Sequence, residues 1–172
     1  MRVLTICGSL RAKSSNRAIL RAYASLMPAG VEVVAYEGLC ELPHFNPDDD
    51  GDEVVEAVRQ WRALVASADL LVISTPEYAH GLPGAFKNAL DWLVSFPAFV
   101  GKRVVVLHAQ RGSDWAYDSL LEILATMSAE VLKPACVRLA LGSNALTEEQ
   151  ILDRDDLRAS LQSSVQHVLE TP

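Results

Sequence analysis

The chain has 172 residues, half of them apolar, with 15 Lys and Arg against 22 Asp and Glu and a formal charge of -7. That size suits one domain, residues 1–172, that buries a sheet between two helical layers, and the acidic balance disfavours nucleic acid and anionic membranes as partners. Cys7, Cys40 and Cys136 stand far apart, with no Cys-x-x-Cys pair and no histidine at metal-ligand spacing, so they read as free thiols in a reducing compartment.

In chain order, the first predicted strand is 3–7. It is too short for the core of a signal peptide, and no later run reaches the roughly 20 apolar residues of a membrane span, so the expectation is a soluble, cytoplasmic protein. A helix over 15–27 carries Ile19, Leu20, Tyr23 and Leu26 on one face; a strand at 31–35 follows, then a helix over 53–66 with Val54, Val58, Trp61 and Val65 at the same spacing. Asn46-Pro47-Asp48-Asp49-Asp50-Gly51 imitates the opening of an EF-hand loop. Its twelfth position is Ala57 rather than a bidentate Glu, so the expected role of Asp50 or Asp52 is to cap the next helix. A strand at 70–75 leads to a helix that starts at Pro83, presents Phe86, Leu90 and Leu93, and ends before Pro97. A strand at 104–109, a helix over 114–128 and a strand at 137–139 come next. The last helix opens on a capping box, Thr147-Glu148-Glu149-Gln150, and continues through Leu157, Leu161, Val165 and Val168. β-Branched runs that alternate with amphipathic helices predict an α/β fold, a doubly wound parallel sheet of five strands in three α/β/α layers.

Between the first strand and helix lies Gly8-Ser9-Leu10-Arg11-Ala12-Lys13-Ser14-Ser15-Asn16. A helix start exposes unpaired N–H groups and the positive end of the dipole, so an anion placed there caps it, with Ser9, Ser14 and Asn16 as neutral donors and Arg11 as a charged one. Alternatively, Ser14 or Ser15 caps the helix while Arg11 and Lys13 lie in solvent. The loop is neither a Walker loop nor a Gly-x-Gly-x-x-Gly fingerprint. A second patterned loop, from Pro76-Glu77-Tyr78-Ala79-His80-Gly81 to Asp91-Trp92, follows the third strand. In a flavodoxin-like strand order both loops face one crevice at the switch point.

Gly-Ser-Leu-Arg with Ser14 and Asn16, followed in order by Pro-Glu-Tyr, Pro-Gly, Lys87-Asn88 and Asp91-Trp92, resembles the NADPH-dependent FMN reductase family, whose members reduce flavins, quinones, azo dyes or chromate on a flavodoxin-like fold. The resemblance implies FMN as cofactor and NADPH or NADH as co-substrate. It implies that Ser9, Arg11, Ser14 and Asn16, with Ser15 beside them, hold the flavin phosphate. Pro76, Glu77, Tyr78 and Gly81 would then border the isoalloxazine ring, with Gln110, Arg111 and Gly112 at its pyrimidine edge. A homodimer or homotetramer is implied as well. Two positions depart from the family pattern: Ala79 stands where Asn is usual, and Gln110-Arg111-Gly112-Ser113-Asp114 replaces a glycine-rich turn that lets backbone approach the ring.

Several side chains keep two readings. Tyr78 either flanks the ring or packs in the core or a subunit contact. Arg111 either sets a positive charge beside reduced flavin or pairs with Asp114. Lys87 and Asp91 read as an exposed i,i+4 pair, His80 as an exposed turn residue and Cys7 as a small hydrophobe. The expected function is FMN-dependent hydride transfer from NAD(P)H to a small acceptor such as a quinone or free flavin, by a ping-pong cycle with no protein acid–base pair. The alternatives are a flavin- or nucleotide-binding module with little turnover, and a nucleoside or sugar-phosphate transferase or hydrolase, for which Glu77 is the only site-loop candidate.

Overall fold

The apolar runs form parallel strands in the computed structural model, which describes residues 1–51, 53–110, 112–142 and 145–171. The elements are β1 (Arg2–Cys7), α1 (Ser15–Ser25), β2 (Glu32–Tyr36), α2 (Glu56–Ser67), β3 (Leu70–Ser74), α3 (Gly84–Asp91), β4 (Arg103–Gln110), α4 (Trp115–Thr126), β5 (Glu130–Val131), β6 (Val137–Ala140), α5 (Glu148–Asp153) and α6 (Asp155–Glu170). The sheet order is β2-β1-β3-β4, and β4 then pairs in parallel with both β5 and β6. The fifth strand is therefore divided, by a 3-10 turn at Lys133–Ala135 that contains Pro134. The sequence reading placed only its second half. Two residues of pairing before a proline leave too little periodicity to read.

Alternation along the strands sorts the core into two layers. Val3, Leu70, Val72, Val105 and Leu107 meet α1, α5 and α6; Leu4, Ile6, Leu71, Ile73, Val104 and Val106 meet α2, α3 and α4. Trp61 of α2 is fully buried, stacks 4.3 Å from Tyr36 and donates from Nε1 to Ala89 O at 2.9 Å, tying α2 to α3. Truncating so large a buried ring costs about 3–5 kcal/mol. Among the described residues no helix is long and apolar enough to cross a membrane.

Three expectations about the helices need correction. The final helix breaks at Arg154, whose extended backbone (φ -84°, ψ 113°) separates α5 from α6. Its guanidinium donates to Leu141 O and Ala140 O, so the carbonyls at the end of β6 hold the break in place. The capping box at Thr147 and Gln150 is formed. The second helix starts at Glu56 with no side-chain cap. Asp50 instead accepts from Arg62 Nη2 at 2.7 Å and from the Ser95 hydroxyl, which pins the 46–51 loop to α2 and to the segment after α3, while Asp52 lies outside the described residues. The third helix ends at Asp91, short of Leu93.

The loops after β1 and β3 leave the sheet in contact. Gly8 N donates to Ser74 O at 2.9 Å. A Cβ at Gly8 would lie 2.1 Å from Thr75 Oγ1, 2.6 Å from its Cβ and 3.2 Å from its Cα, so this position accepts no side chain without parting the strand ends. Gly8→Ala is expected to cost about 2 kcal/mol by overpacking, lowering the thermal midpoint by roughly 4–8 °C in a calorimetric scan.

Candidate functional site

A cleft of about 460 Å³ opens at the carboxyl ends of β1, β3 and β4, lined by Ser9, Arg11, Ser14–Asn16, Pro76–Tyr78, His108, Ala109 and Ser113. This is the size range of cofactor pockets, at the point where β1 and β3 diverge to opposite crossovers.

At one end, the Ser14 side chain makes no capping bond to α1, although its backbone occupies the N-cap position. Ser9 is 3% exposed and its Oγ accepts from Arg11 N at 3.3 Å, which leaves the hydroxyl proton for the cleft. The buried Asn16 is held by the Ser74 hydroxyl, shared between Asn16 Oδ1 (2.9 Å) and Leu107 O (2.7 Å). Cys7 lies beneath this loop, and burial pushes its thiol pKa up, which keeps it a thiol packed as a small hydrophobe.

At the other end, Tyr78 and Gly81 exchange both backbone hydrogen bonds at 3.0 Å, closing a two-residue turn at Ala79 (φ 49°) and His80 (φ 61°). Positive φ at both central positions defines the I′ turn, which favours Asn and Gly. The Ala79 departure thus bears on backbone strain as well as on side-chain bonding. Tyr78 is half exposed at the cleft, and His80 stacks 5.6 Å from Trp115.

Glu77 turns from the loop after β3 towards α4. Its Oε2 accepts from Ala116 N at 2.9 Å and its Oε1 from the Ser113 hydroxyl, so it caps the start of α4 from another loop. These bonds, Ser113 first, hold its carboxyl pKa below the ordinary value. Beside it, His108 is 6% exposed and its Nε2 lies 2.9 Å from Asp114 Oδ1. Arg138 reaches Asp114 Oδ2 at 3.5 Å and lies 4.9 Å above the Tyr117 ring.

Of the residues singled out in the sequence, Ser9, Arg11, Ser14, Ser15, Asn16, Pro76, Glu77 and Tyr78 line the cleft together. Gly81 closes the turn behind Tyr78, Gln110 is exposed at the end of β4, and Gly112 (φ 103°) shapes the following turn; none of the three is in the lining. Arg111 lies outside the described residues, and Asp114 pairs with His108 and Arg138. Sequence reading missed His108, Ala109 and Ser113. The signal for His108 was strand alternation, which places it at the open end of the Val104, Val106 face. Asn88 and Trp92 of the second motif serve the fold: both donate to Pro43 O, and Asn88 Oδ1 accepts from Phe45 N. Lys87 and Asp91 form the expected i,i+4 pair.

The sequence profile of the NADPH-dependent FMN reductase family matches residues 1–142. The chain belongs to that family. It is 30% identical over 171 residues to an NAD(P)H-dependent FMN reductase of Pseudomonas aeruginosa, covering 96% of this chain and 92% of that one. A quinone reductase of Escherichia coli is 35% identical over 115 residues, which span 65% of this chain and 61% of that protein. Among solved structures, the flavoenzyme NAD(P)H:(acceptor) oxidoreductase FerB from Paracoccus denitrificans superposes with a TM-score of 0.72 at 22% identity, covering 98% and 97% of the two chains. An azoreductase from Bacillus anthracis gives 0.64 at 15% identity, covering 96% and 97%. These structural likenesses establish the flavodoxin-like fold. Family membership makes the protein an oxidoreductase that uses FMN with NAD(P)H.

Two outcomes follow for this FMN reductase. Replacing Glu77 by Gln removes the charge at the start of α4, so Glu77→Gln should lose about 0.5–1 kcal/mol at neutral pH. Because the Glu77 pKa is depressed, its contribution is full above the ordinary value of 4.5 and is lost as pH falls through the lower folded-state value. Melting curves between pH 3 and 7 should show that acid-dependent loss in the wild type and a smaller one in the variant. Ala79→Asn relieves an L-residue held at positive φ and should raise the midpoint by roughly 1–4 °C, measured in the same scans.

Proposed function

We propose that the chain, as one domain over residues 1–172, holds FMN in this cleft and passes hydride equivalents from NADPH or NADH to a small acceptor such as a quinone or free flavin. The observation that carries the reading is the continuous cleft that joins the loop before α1, uncapped by Ser14, to the Tyr78 turn, with neutral donors at one end and an aromatic flank at the other. The residues present fit the cofactor. Ser9, Arg11, Ser14, Ser15 and Asn16 suit a phosphate, for which an uncapped helix start and an arginine are the expected partners. Pro76 and Tyr78 suit a flat ring, and Gly81 sets the turn that presents Tyr78. Gln110 and Gly112 flank the turn after β4 and would meet the ring's edge through their backbone, and Arg111 is assigned to the same edge of the cofactor.

Bound flavin supplies the redox chemistry; the chain's own groups bind, orient and flank it. Nicotinamide and acceptor would use the same open face in turn, which gives a ping-pong cycle. Glu77, the one carboxylate available to a transferase or hydrolase in the site loops, is occupied by Ser113 and Ala116, which disfavours that class. We further infer a cytoplasmic homodimer or homotetramer, with a small-molecule acceptor as the only partner besides its own copies.

Purified protein should take up about one FMN per chain and bleach when NADPH is added without oxygen. Arg11→Ala should weaken FMN binding roughly 10–100-fold by fluorescence titration, the worth of a charge-assisted bond to phosphate. Colourless protein that neither takes up FMN nor oxidises NADPH rejects the reading, and FMN bound without bleaching favours a binding module instead.

A further inference from the structure

His108 is a buried polar side chain in the cleft that neither the fold nor the function above uses. Strand alternation puts it on the face of β4 that packs on α4, one position beyond the last core residues of that layer, where the layer opens to solvent. Asp114, at the N-cap position of α4, takes Nε2. A carboxylate only accepts, so this ring nitrogen carries a proton. Tyr117 packs on the imidazole with centroids 4.9 Å apart. From the neighbouring strand Arg138, in register with His108, binds the other Asp114 oxygen and covers Tyr117. The ring is thus fixed from three elements.

Nδ1 makes no hydrogen bond to any described residue. His108 is among the residues that line the cleft, so its imidazole is presented there. The charged and titratable groups around the imidazole are Asp114 and Arg138 in the network, Glu77 beside it, and Tyr117 with Asp118 and Cys136 near it. Asp114 and Arg138 offset one another, so the pair adds no net charge beside the imidazole.

We propose that His108, oriented by Asp114, faces the polar pyrimidine edge of the flavin and, as an imidazolium with both ring nitrogens protonated, donates from Nδ1 to the reduced form and favours it. It does with a side chain what a glycine-rich turn would do with backbone N–H groups. The inference rests on the FMN reading above. Hydride transfer to a flavin leaves an added negative charge on the pyrimidine side of the ring, and a nearby donor that can carry positive charge binds that state more tightly than the oxidised one. No bond forms or breaks at the imidazole; it contributes a hydrogen bond and a charge.

The test uses FMN-loaded wild type, His108→Gln and Asp114→Asn, with three readouts: affinity for oxidised FMN, midpoint potential against a reference dye, and affinity for sulfite, whose flavin adduct responds to positive charge at the pyrimidine edge. His108→Gln should hold oxidised FMN within about threefold of wild type but lose about tenfold in its preference for reduced over oxidised flavin, a fall of about 30 mV for a two-electron couple. Sulfite affinity should fall by a similar factor. Asp114→Asn keeps the imidazole and removes the charge that supports it, so it should move both values the same way by a smaller amount; it carries the test if His108→Gln does not fold. FMN-loaded variants with wild-type potential and sulfite affinity overturn the role of His108 alone. Failure of the wild type to take up FMN overturns it together with the reading on which it rests.

Discussion

The close approach of Gly8 to Thr75 is the constraint on which the cleft depends. β1 and β3 are neighbours whose chains depart to opposite layers, α1 on one side and α3 on the other. A ligand lying across that divide must touch both loops, so their spacing is set by whatever stands between them. Here that is a hydrogen bond from Gly8 N to Ser74 O and van der Waals contact with Thr75, with no room for a side chain. The Ser74 hydroxyl extends the link to Asn16 and to β4 through Leu107 O. Three strand ends and the start of α1 therefore move as one piece.

The far side of the cleft is held differently. Where relatives are expected to carry a glycine-rich turn, this chain crosses the gap with charged and polar side chains: Glu77 reaches from the β3 loop to the start of α4, and Asp114, at the N-cap position of α4, turns back to His108 and Arg138. Glu77 meets the positive end of the α4 dipole, and Asp114 sits between two groups able to carry positive charge. A protein with formal charge -7 thus keeps the two carboxylates nearest the cleft engaged within its own structure. That leaves Arg11 to face an anionic ligand with little competition from fixed negative charge.

The fold was largely legible in the sequence because strand and helix periods are local properties. The β1, β3 and β4 runs are mostly apolar, as strands buried on both faces must be, and their bounds were read to within a residue or two. The divided fifth strand and the break at Arg154 were not legible, because each is decided by partners distant in the chain: β4 for the two short strand pieces, and the carbonyls at the end of β6 for the arginine. The cleft divides the same way. The β1 and β3 loops could be read from residues whose types suit a phosphate and a ring. His108 could not, because a histidine in an apolar strand gains meaning only when Asp114, six residues on, and Arg138, on another strand, are brought beside it.

Ser9, Asn16 and His108 share one design. Each spends one polar atom on the protein and keeps another for the cleft: Ser9 accepts from Arg11 N and retains its hydroxyl proton, Asn16 engages Ser74 through Oδ1 and retains its amide hydrogens, and His108 engages Asp114 through Nε2 and retains Nδ1. All three are at least nine-tenths buried, so none can swing into solvent to satisfy the remaining atom. An exposed serine or histidine would bind a ligand only after giving up rotamer freedom and bound water. Here the rotamer is already fixed by the first bond, so ordering these side chains is a cost of folding rather than of binding. The same fixation makes the cleft selective. A ligand lacking an acceptor opposite Ser9 or Asn16 would leave a buried donor unpaired, at about 1–3 kcal/mol each. A flat ring with polar groups along one edge and a phosphate at the far end of a flexible chain presents the phosphate to Ser9 and Asn16 at one end of the cleft and the polar edge to His108 at the other.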